Sequence, residues 1–308
     1  MITTHDQGHR AVAAGRSVYW QGWLPQSPAR AVIVVVHGIH EHSARYTHVG
    51  EALAAAGFAV YAADHRGHGR SGGRRANIER MTLVLADLRS FVRFAAARHP
   101  GLAIFMVGHS LGGLIALHCA IDLEAIDLEA IDLEAGESGA ARPGSTLDGL
   151  VLSGPAVTTT AGSALARRLA GVLSALVPNL GVAALEATEK ISRDPDVVRA
   201  YRQDPLVYRG RIKARTGAEV LAAMQRLPAR LPLLSIPLLI LHGTADRICP
   251  VAGSTMLHEL VSSPDKTLRR YPGLYHEVFN EPEREAILTD LISWFNDHLP
   301  GRPAHSAG

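Results

Sequence analysis

Gly108-His109-Ser110-Leu111-Gly112 is the stretch on which the reading of this chain turns. It is a G-x-S-x-G pentapeptide, preceded by the unbroken apolar run Leu102-Ala103-Ile104-Phe105-Met106-Val107 and followed by a proline-free, Ala/Leu-rich segment from Leu111 to Ala120. Such a run predicts a strand buried on both faces of a parallel sheet, and the segment after it predicts a helix. The turn between them needs glycine at both ends, because side chains flanking the serine would collide with neighbouring backbone. Strand, tight turn and helix are the setting in which such a serine is a nucleophile. A hydroxyl is a poor nucleophile at neutral pH, so the chain must also supply a base, an orienting carboxylate and an oxyanion site.

Working outward, Ala31-Val32-Ile33-Val34-Val35-Val36, Phe58-Ala59-Val60-Tyr61-Ala62-Ala63, Leu150-Val151-Leu152 and Leu238-Leu239-Ile240-Leu241 repeat the apolar pattern, and each ends in a Gly, His, Ser or Asp cluster. Strands alternating with helical segments predict a doubly wound α/β sheet, with functional residues at the carboxyl ends of the strands. Ser17-Val18-Tyr19-Trp20-Gln21-Gly22-Trp23 is expected to add an antiparallel strand at one edge. The residues between Pro155 and Pro237 read as mostly helical, without a strand pattern, and predict an inserted cap. Within it Leu165, Leu169, Val172, Leu173 and Leu176 form an apolar stripe opposite Arg167, Arg168 and Ser174. Core packing against the main domain is the plainer expectation for that stripe; a pocket wall or a membrane-facing surface is the sharper one.

Ile121-Asp122-Leu123-Glu124-Ala125 recurs unchanged through Ala130 and Ala135. A five-residue period matches neither helix nor strand, so the repeat cannot bury one clean face. The expectation is an acidic, solvated extension of the helix after Ser110, followed by a loop from Gly136 to Ser145.

Composition excludes several classes. With 308 residues the chain can bury a large core. No uninterrupted apolar stretch is long enough to span a bilayer. A net charge of +2 with scattered basic residues argues against nucleic acid as a partner. Cys119 and Cys249 are the only cysteines, which implies neither a disulfide framework nor a zinc site. The first residues lack the pattern of a secretory signal, so the expected location is cytoplasmic.

Sixteen histidines force the base to be chosen by context. Of the four that follow the best acid, His258 sits in a helical stretch, His298 ends the last helix and His305 lies in a polar tail, whereas His276 occupies a loop after a short strand. Asp246 follows Leu241-His242-Gly243-Thr244-Ala245 at the carboxyl edge. Its rival Asp265 precedes its strand, and Asp194, Asp196 and Asp204 read as helix caps or surface charges. Ser110, Asp246, His276 is the chain order of α/β-hydrolases, and His242, which would break it, reads as structural. The oxyanion donors expected are the backbone N–H groups of Leu111, after the nucleophile, and Ile39, in Val36-His37-Gly38-Ile39.

Taken together, His37-Gly38-Ile39-His40-Glu41-His42-Ser43-Ala44-Arg45-Tyr46, Asp64-His65-Arg66-Gly67-His68-Gly69-Arg70-Ser71 and Gly108-His109-Ser110-Leu111-Gly112-Gly113 resemble the monoacylglycerol lipases, in particular bacterial, actinobacterial-type members. Gly243-Thr244-Ala245-Asp246-Arg247 and Tyr275-His276-Glu277-Val278-Phe279-Asn280-Glu281 extend the resemblance. It implies an α/β-hydrolase fold, a mostly parallel doubly wound sheet with an inserted helical cap. Residues 1–155 and 233–300 would form the core, 156–232 the cap and 301–308 a disordered tail. It implies hydrolysis of a monoacylglycerol to glycerol and fatty acid without cofactor or metal, with transient membrane contact through the cap. By the same resemblance Glu41 and Arg45 organise the polar end of the site, the plainer alternative being a surface ion pair, and Cys249 lies near it, a place for thiol sensitivity. Leucine at 111, often methionine in the family, and the triple repeat depart from the pattern. Lysophospholipase, general carboxylesterase or acyltransferase action would use the same residues, and a catalytically silent lipid-binding module is the reading of a different class.

Overall fold

The computed structural model describes residues 3–134, 147–158, 171, 173–184 and 188–300, and only the backbone of 127–134. Leu165, Leu169, Val172, Arg167, Arg168, the loop from Gly136 to Ser145, His305 and the tail lie outside the described residues.

The apolar runs become strands β3 (Ala31–Val36), β4 (Ala59–Ala63), β5 (Ala103–His109), β6 (Gly149–Ser153) and β9 (Leu238–Gly243) of an eight-stranded sheet, completed by β1 (Thr4–Val12), β2 (Arg16–Leu24) and β10 (Lys266–Tyr271). The spatial order is β1-β2-β4-β3-β5-β6-β9-β10; β2 alone runs opposite to the rest, so its pairings with β1 and β4 are antiparallel and all the others parallel. Unbroken apolar runs are needed because successive side chains leave on opposite faces and both faces are covered. Val32, Val34 and Val36 enter one core with Ile104, Met106 and Ile240, while Ala31, Ile33 and Val35 enter the other with Phe105, Val107 and Leu241. Helices α2 (Met81–Ala97) and α3 (Leu111–Glu134) cover the first face; α1 (Thr47–Ala55) and helix Arg284–Asp297 cover the second. Each fully buried Val or Ile contributes roughly 1.5–3 kcal/mol relative to exposure, which makes the central strands the main source of stability.

Three expectations are corrected. The strand read around Ser17 to Trp23 is antiparallel but is not the edge, because β1 pairs along its whole length, Thr4 opposite Leu24 through Val12 opposite Arg16. β1 went unseen because its burial alternates weakly and its side chains are mostly polar. The residues inserted between β6 and β9 do contain strand: β7 (Gly181–Ala183) pairs antiparallel with β8 (Ile212–Lys213), beside helices Pro195–Gln203 and Ala214–Arg226. Of the apolar stripe, Leu173 and Leu176 are 37% and 76% exposed while Ser174 is 3% exposed, the reverse of core packing.

The repeat continues α3 as expected, but its first copy is not solvated. Ile121 and Leu123 are buried with Leu227, Leu231 and Leu234, Asp122 pairs with Arg89 and Arg230, and Glu124 accepts hydrogen bonds from the Ser235 N–H and hydroxyl. This turn of α3 is enclosed by the sheet, by α2 and by the chain from Ala223 to Ser235, so residues on different faces can all be buried without one clean stripe. Emergence begins at Ala125, and Ile126 is 43% exposed.

Because β3, β5, β6 and β9 are parallel and in register, Val36 beside Gly108, His109 beside Ser153 and Ser153 beside Leu241, their carboxyl ends form one rim. The loops that leave this rim carry the polar clusters of the sequence.

Candidate active site

Ser110 sits between β5 and α3 at φ 53°, a left-handed conformation that a serine holds only where its surroundings impose it. Its N–H donates to Ser153 O at 3.0 Å, and its carbonyl accepts from Gly113 and Ala156 N–H, each at 3.0 Å. A Cβ on Gly112 would stand 2.1 Å from Val36 O, so only glycine lets α3 start this close to the sheet. The turn thus presents the Ser110 hydroxyl to a small enclosed space lined by Gly38, Ile39, Glu41, His276 and Glu277, with Ile191, Tyr201 and Ile248 as apolar wall.

His276 leaves the loop after β10 and is 4% exposed. Its Nδ1 lies 2.7 Å from Asp246 Oδ2, in the loop after β9. Asp246 also accepts from the Ile248 N–H at 2.7 Å and the Cys249 N–H at 3.0 Å through Oδ1, while His242 Nε2 lies 3.2 Å from Oδ2. Burial by itself would push this carboxyl up, but the hydrogen bonds from His242, His276 and the Cys249 amide outweigh it and hold it well below the ordinary range. His242, the structural histidine of the sequence reading, is fully buried, its Nδ1 2.7 Å from Ser254 Oγ and its Nε2 2.9 Å from Cys249 O.

The rival positions lie elsewhere. Asp265 receives the Leu238 N–H at the start of β9 and pairs with His298, at the opposite end of the sheet. Asp194 caps helix Pro195–Gln203, and exposed Asp196 pairs with Arg199. Asp204 is more than a surface charge: it reaches His42 at 2.8 Å and ties the inserted segment to the loop after β3.

Of the expected oxyanion donors, Leu111 N–H is one of the orphan amides at the start of α3, and Ile39 stands across the space on the loop after β3. The close approach depends on Gly38, where a Cβ would fall 2.8 Å from Glu41 Oε1 and 3.2 Å from Ser110 Cβ. Gly38→Ala is therefore expected to displace this loop, lowering kcat on the order of 10²-fold while costing little stability. Steady-state kinetics beside a thermal melt check it.

Glu41 and Arg45 are not a surface pair. Their side chains are 4% and 9% exposed and their polar atoms are engaged within the protein. Glu41 Oε1 accepts from Gly38 N–H and the Tyr46 hydroxyl, Oε2 from Arg45, and Arg45 forms a two-pronged pair with Glu277 at 2.7 Å on each arm. Glu277 lies within the family-like stretch Tyr275 to Glu281, and the sequence alone assigns it no role. The signal that could have found it is an acid directly beside the candidate base, followed by apolar Val278 and Phe279.

Two further groups touch the pair. His109 packs 4.6 Å from the His276 ring and is kept neutral, its basicity pushed down to about 3 by burial and then by His276. The Cys249 thiol is buried and pushed up by that burial, so it stays protonated, while the Cys249 N–H donates to Asp246. Among the described residues no cluster of three or more His, Cys, Asp or Glu is arranged to hold a metal ion.

The chain matches the model of the family described as serine aminopeptidase, S33, over residues 27–283. It is 41% identical to the monoacylglycerol lipase of Mycolicibacterium smegmatis over 96% of this chain and 99% of that protein. It is 34% identical to the human monoglyceride lipase over 95% of this chain and 91% of that one. Among solved structures, the monoacylglycerol lipase of Paleococcus ferrophilus superposes with a TM-score of 0.74 at 30% identity, covering 97% of this chain and all of that one. The fold is that of the α/β-hydrolases.

Proposed function

The chain belongs to the serine aminopeptidase S33 hydrolases and, within them, to the monoacylglycerol lipases, and on that premise we propose that it cleaves the single acyl ester of a monoacylglycerol to glycerol and a free fatty acid. The observation that carries the reading is the His276–Asp246 pair at 2.7 Å, brought to the same rim as Ser110 on its left-handed turn. In this reaction the His276 ring takes the proton of the Ser110 hydroxyl as the oxygen attacks the ester carbonyl. Asp246 holds the Nδ1–H tautomer and stabilises the imidazolium. The amides of Leu111 and Ile39 bind the oxyanion, each contributing roughly 3 kcal/mol to the transition state. His276 returns the proton to the glycerol oxygen, then activates a water that releases the fatty acid. Glu41 and Arg45 organise the polar end of the site by fixing the loop that bears Ile39.

Residues 156–232 act as the cap in this reading. Exposed Leu173, Leu176, Val177, Leu180 and Val182 give that segment an apolar surface suited to transient contact with the lipid that delivers the substrate. Among the described residues no helix is long and apolar enough to cross a membrane. The test is a kcat/KM series over monoacylglycerols of increasing acyl length, beside lysophospholipids and short esters. Monoacylglycerols should lead; a lysophospholipid in front, or acyl transfer to an added alcohol faster than hydrolysis, would replace the proposal.

A further inference from the structure

Two loops that share no backbone meet at the Arg45 guanidinium, whose acid partners Glu41 and Glu277 line the space around Ser110. From the loop after β3, Glu41 holds the Gly38 N–H at 2.5 Å and Arg45 Nη1 at 2.6 Å. From the loop after β10, Glu277, the residue next to His276, grips both arms of Arg45 at 2.7 Å. Glu277 is itself held from two further sides. Its second oxygen accepts from Asn280 Nδ2 at 2.8 Å, and its N–H donates to Ile191 O in the inserted segment at 2.8 Å. The Tyr201 ring lies over the guanidinium, 4.6 Å from Cζ.

We infer that Glu277 is a positioning residue for the hydrolysis proposed above: through Arg45 and Glu41 it locks the loop carrying His276 to the loop carrying the oxyanion donor, and it leaves one uncompensated negative charge facing the imidazole. Two buried carboxylates share one guanidinium, and the neighbouring cations turn away from them, Arg284 to Asp194 at 3.6 Å and Arg209 to the Asp204 carbonyl at 2.8 Å. His109, at the end of β5, and His48, on α1, are both pushed toward the neutral form by burial. Tyr46 and Tyr201 are pushed up, away from ionisation, by the same cause. From the loop after β9, Asp246 adds a second negative charge and Cys249 stays a thiol. A carboxylate kept ionised in a space this enclosed acts at reduced screening. Its partner in the reaction is the imidazolium that forms when His276 takes the Ser110 proton, and its opponent is the fatty carboxylate product, which it repels from the site.

The inference rests on the function proposed above, and the experiment separates the two. A fluorophosphonate probe is used to label Ser110 across a range of pH, so the readout needs no assumption about the ester. In Glu277→Gln the midpoint of the acid limb of the labelling rate should fall by about one pH unit, because the neutral amide no longer favours the protonated ring. Glu277→Asp, which keeps the charge, should return the midpoint to the wild-type value. If Glu277→Gln does not fold, judged by near-UV circular dichroism, Glu41→Gln removes a charge from the other arm of the same guanidinium and should move the midpoint the same way. A folded variant with an unmoved midpoint overturns the role of Glu277. Failure of the wild-type protein to label overturns the nucleophile reading itself.

Discussion

Ser110→Ala is expected to abolish hydrolysis of a medium-chain monoacylglycerol, lowering kcat by about 10⁵- to 10⁶-fold, while the protein folds and melts as the wild type does. The magnitude follows from the non-additive nature of such sites: once the nucleophile is gone, the base and carboxylate have nothing to act on, and only positioning and oxyanion binding remain. Folding should be nearly untouched because the serine side chain contributes little to either core. The turn is held by its backbone, through Ser110 N–H to Ser153 O and through the carbonyl that accepts from Gly113 and Ala156. Alanine accepts the φ of 53° about as readily as serine does. Burst kinetics with a chromogenic ester and a thermal melt on the same preparation check both halves. Residual turnover above about one part in a thousand would show that another group performs the attack.

Asp246→Asn should lower kcat by about 10⁴-fold, with a smaller change in KM. The amide can keep its Oδ1 on the Ile248 and Cys249 N–H groups, as the carboxylate does. Its NH₂ then occupies the place of Oδ2, where His276 and His242 both approach, at 2.7 and 3.2 Å. Two donors cannot face a third, so the His276 ring must turn or take the wrong tautomer, which leaves no basic nitrogen toward Ser110. The same substitution should flatten the acid dependence of stability. The Asp246 carboxyl is held below its unfolded value, so its contribution is present above the ordinary carboxylate range and is lost as pH falls below about 4. Melts at descending pH should therefore converge for the wild type and the variant; curves that stay parallel would disprove the link.

Much of this was legible in the linear chain. The apolar runs marked β3, β4, β5, β6 and β9 because a strand covered on both faces must be apolar at every position, and a run of that kind is local information. Gly108 was legible for a similar reason, since a Cβ there would meet Gly112, Gly113 and Ala116, close in sequence, whereas Gly112 is required by Val36 and His37 at the end of β3. β1 was not legible: an edge strand whose side chains face water carries no apolar signal. The repeat misled because burial was inferred from one face of one helix, whereas this turn of α3 is enclosed by three different parts of the chain. The exposed Leu173 and Leu176 misled in the opposite direction, for apolar residues at helical spacing state that a helix has an apolar side without stating what that side meets.

Sequence alone determined the family and the parallel sheet, and pointed to Ser110, Asp246 and His276 as the expected site, because strand burial, turn geometry and chain order are properties of short segments or of their succession. Tertiary structure alone decided that Asp246 serves two histidines and that Glu41, Arg45 and Glu277 form one buried unit. Those relations join side chains as far apart in sequence as Arg45 and Glu277. A directional hydrogen bond between such distant residues depends on where the sheet sets its strand ends, and that placement is written in no single stretch of the chain.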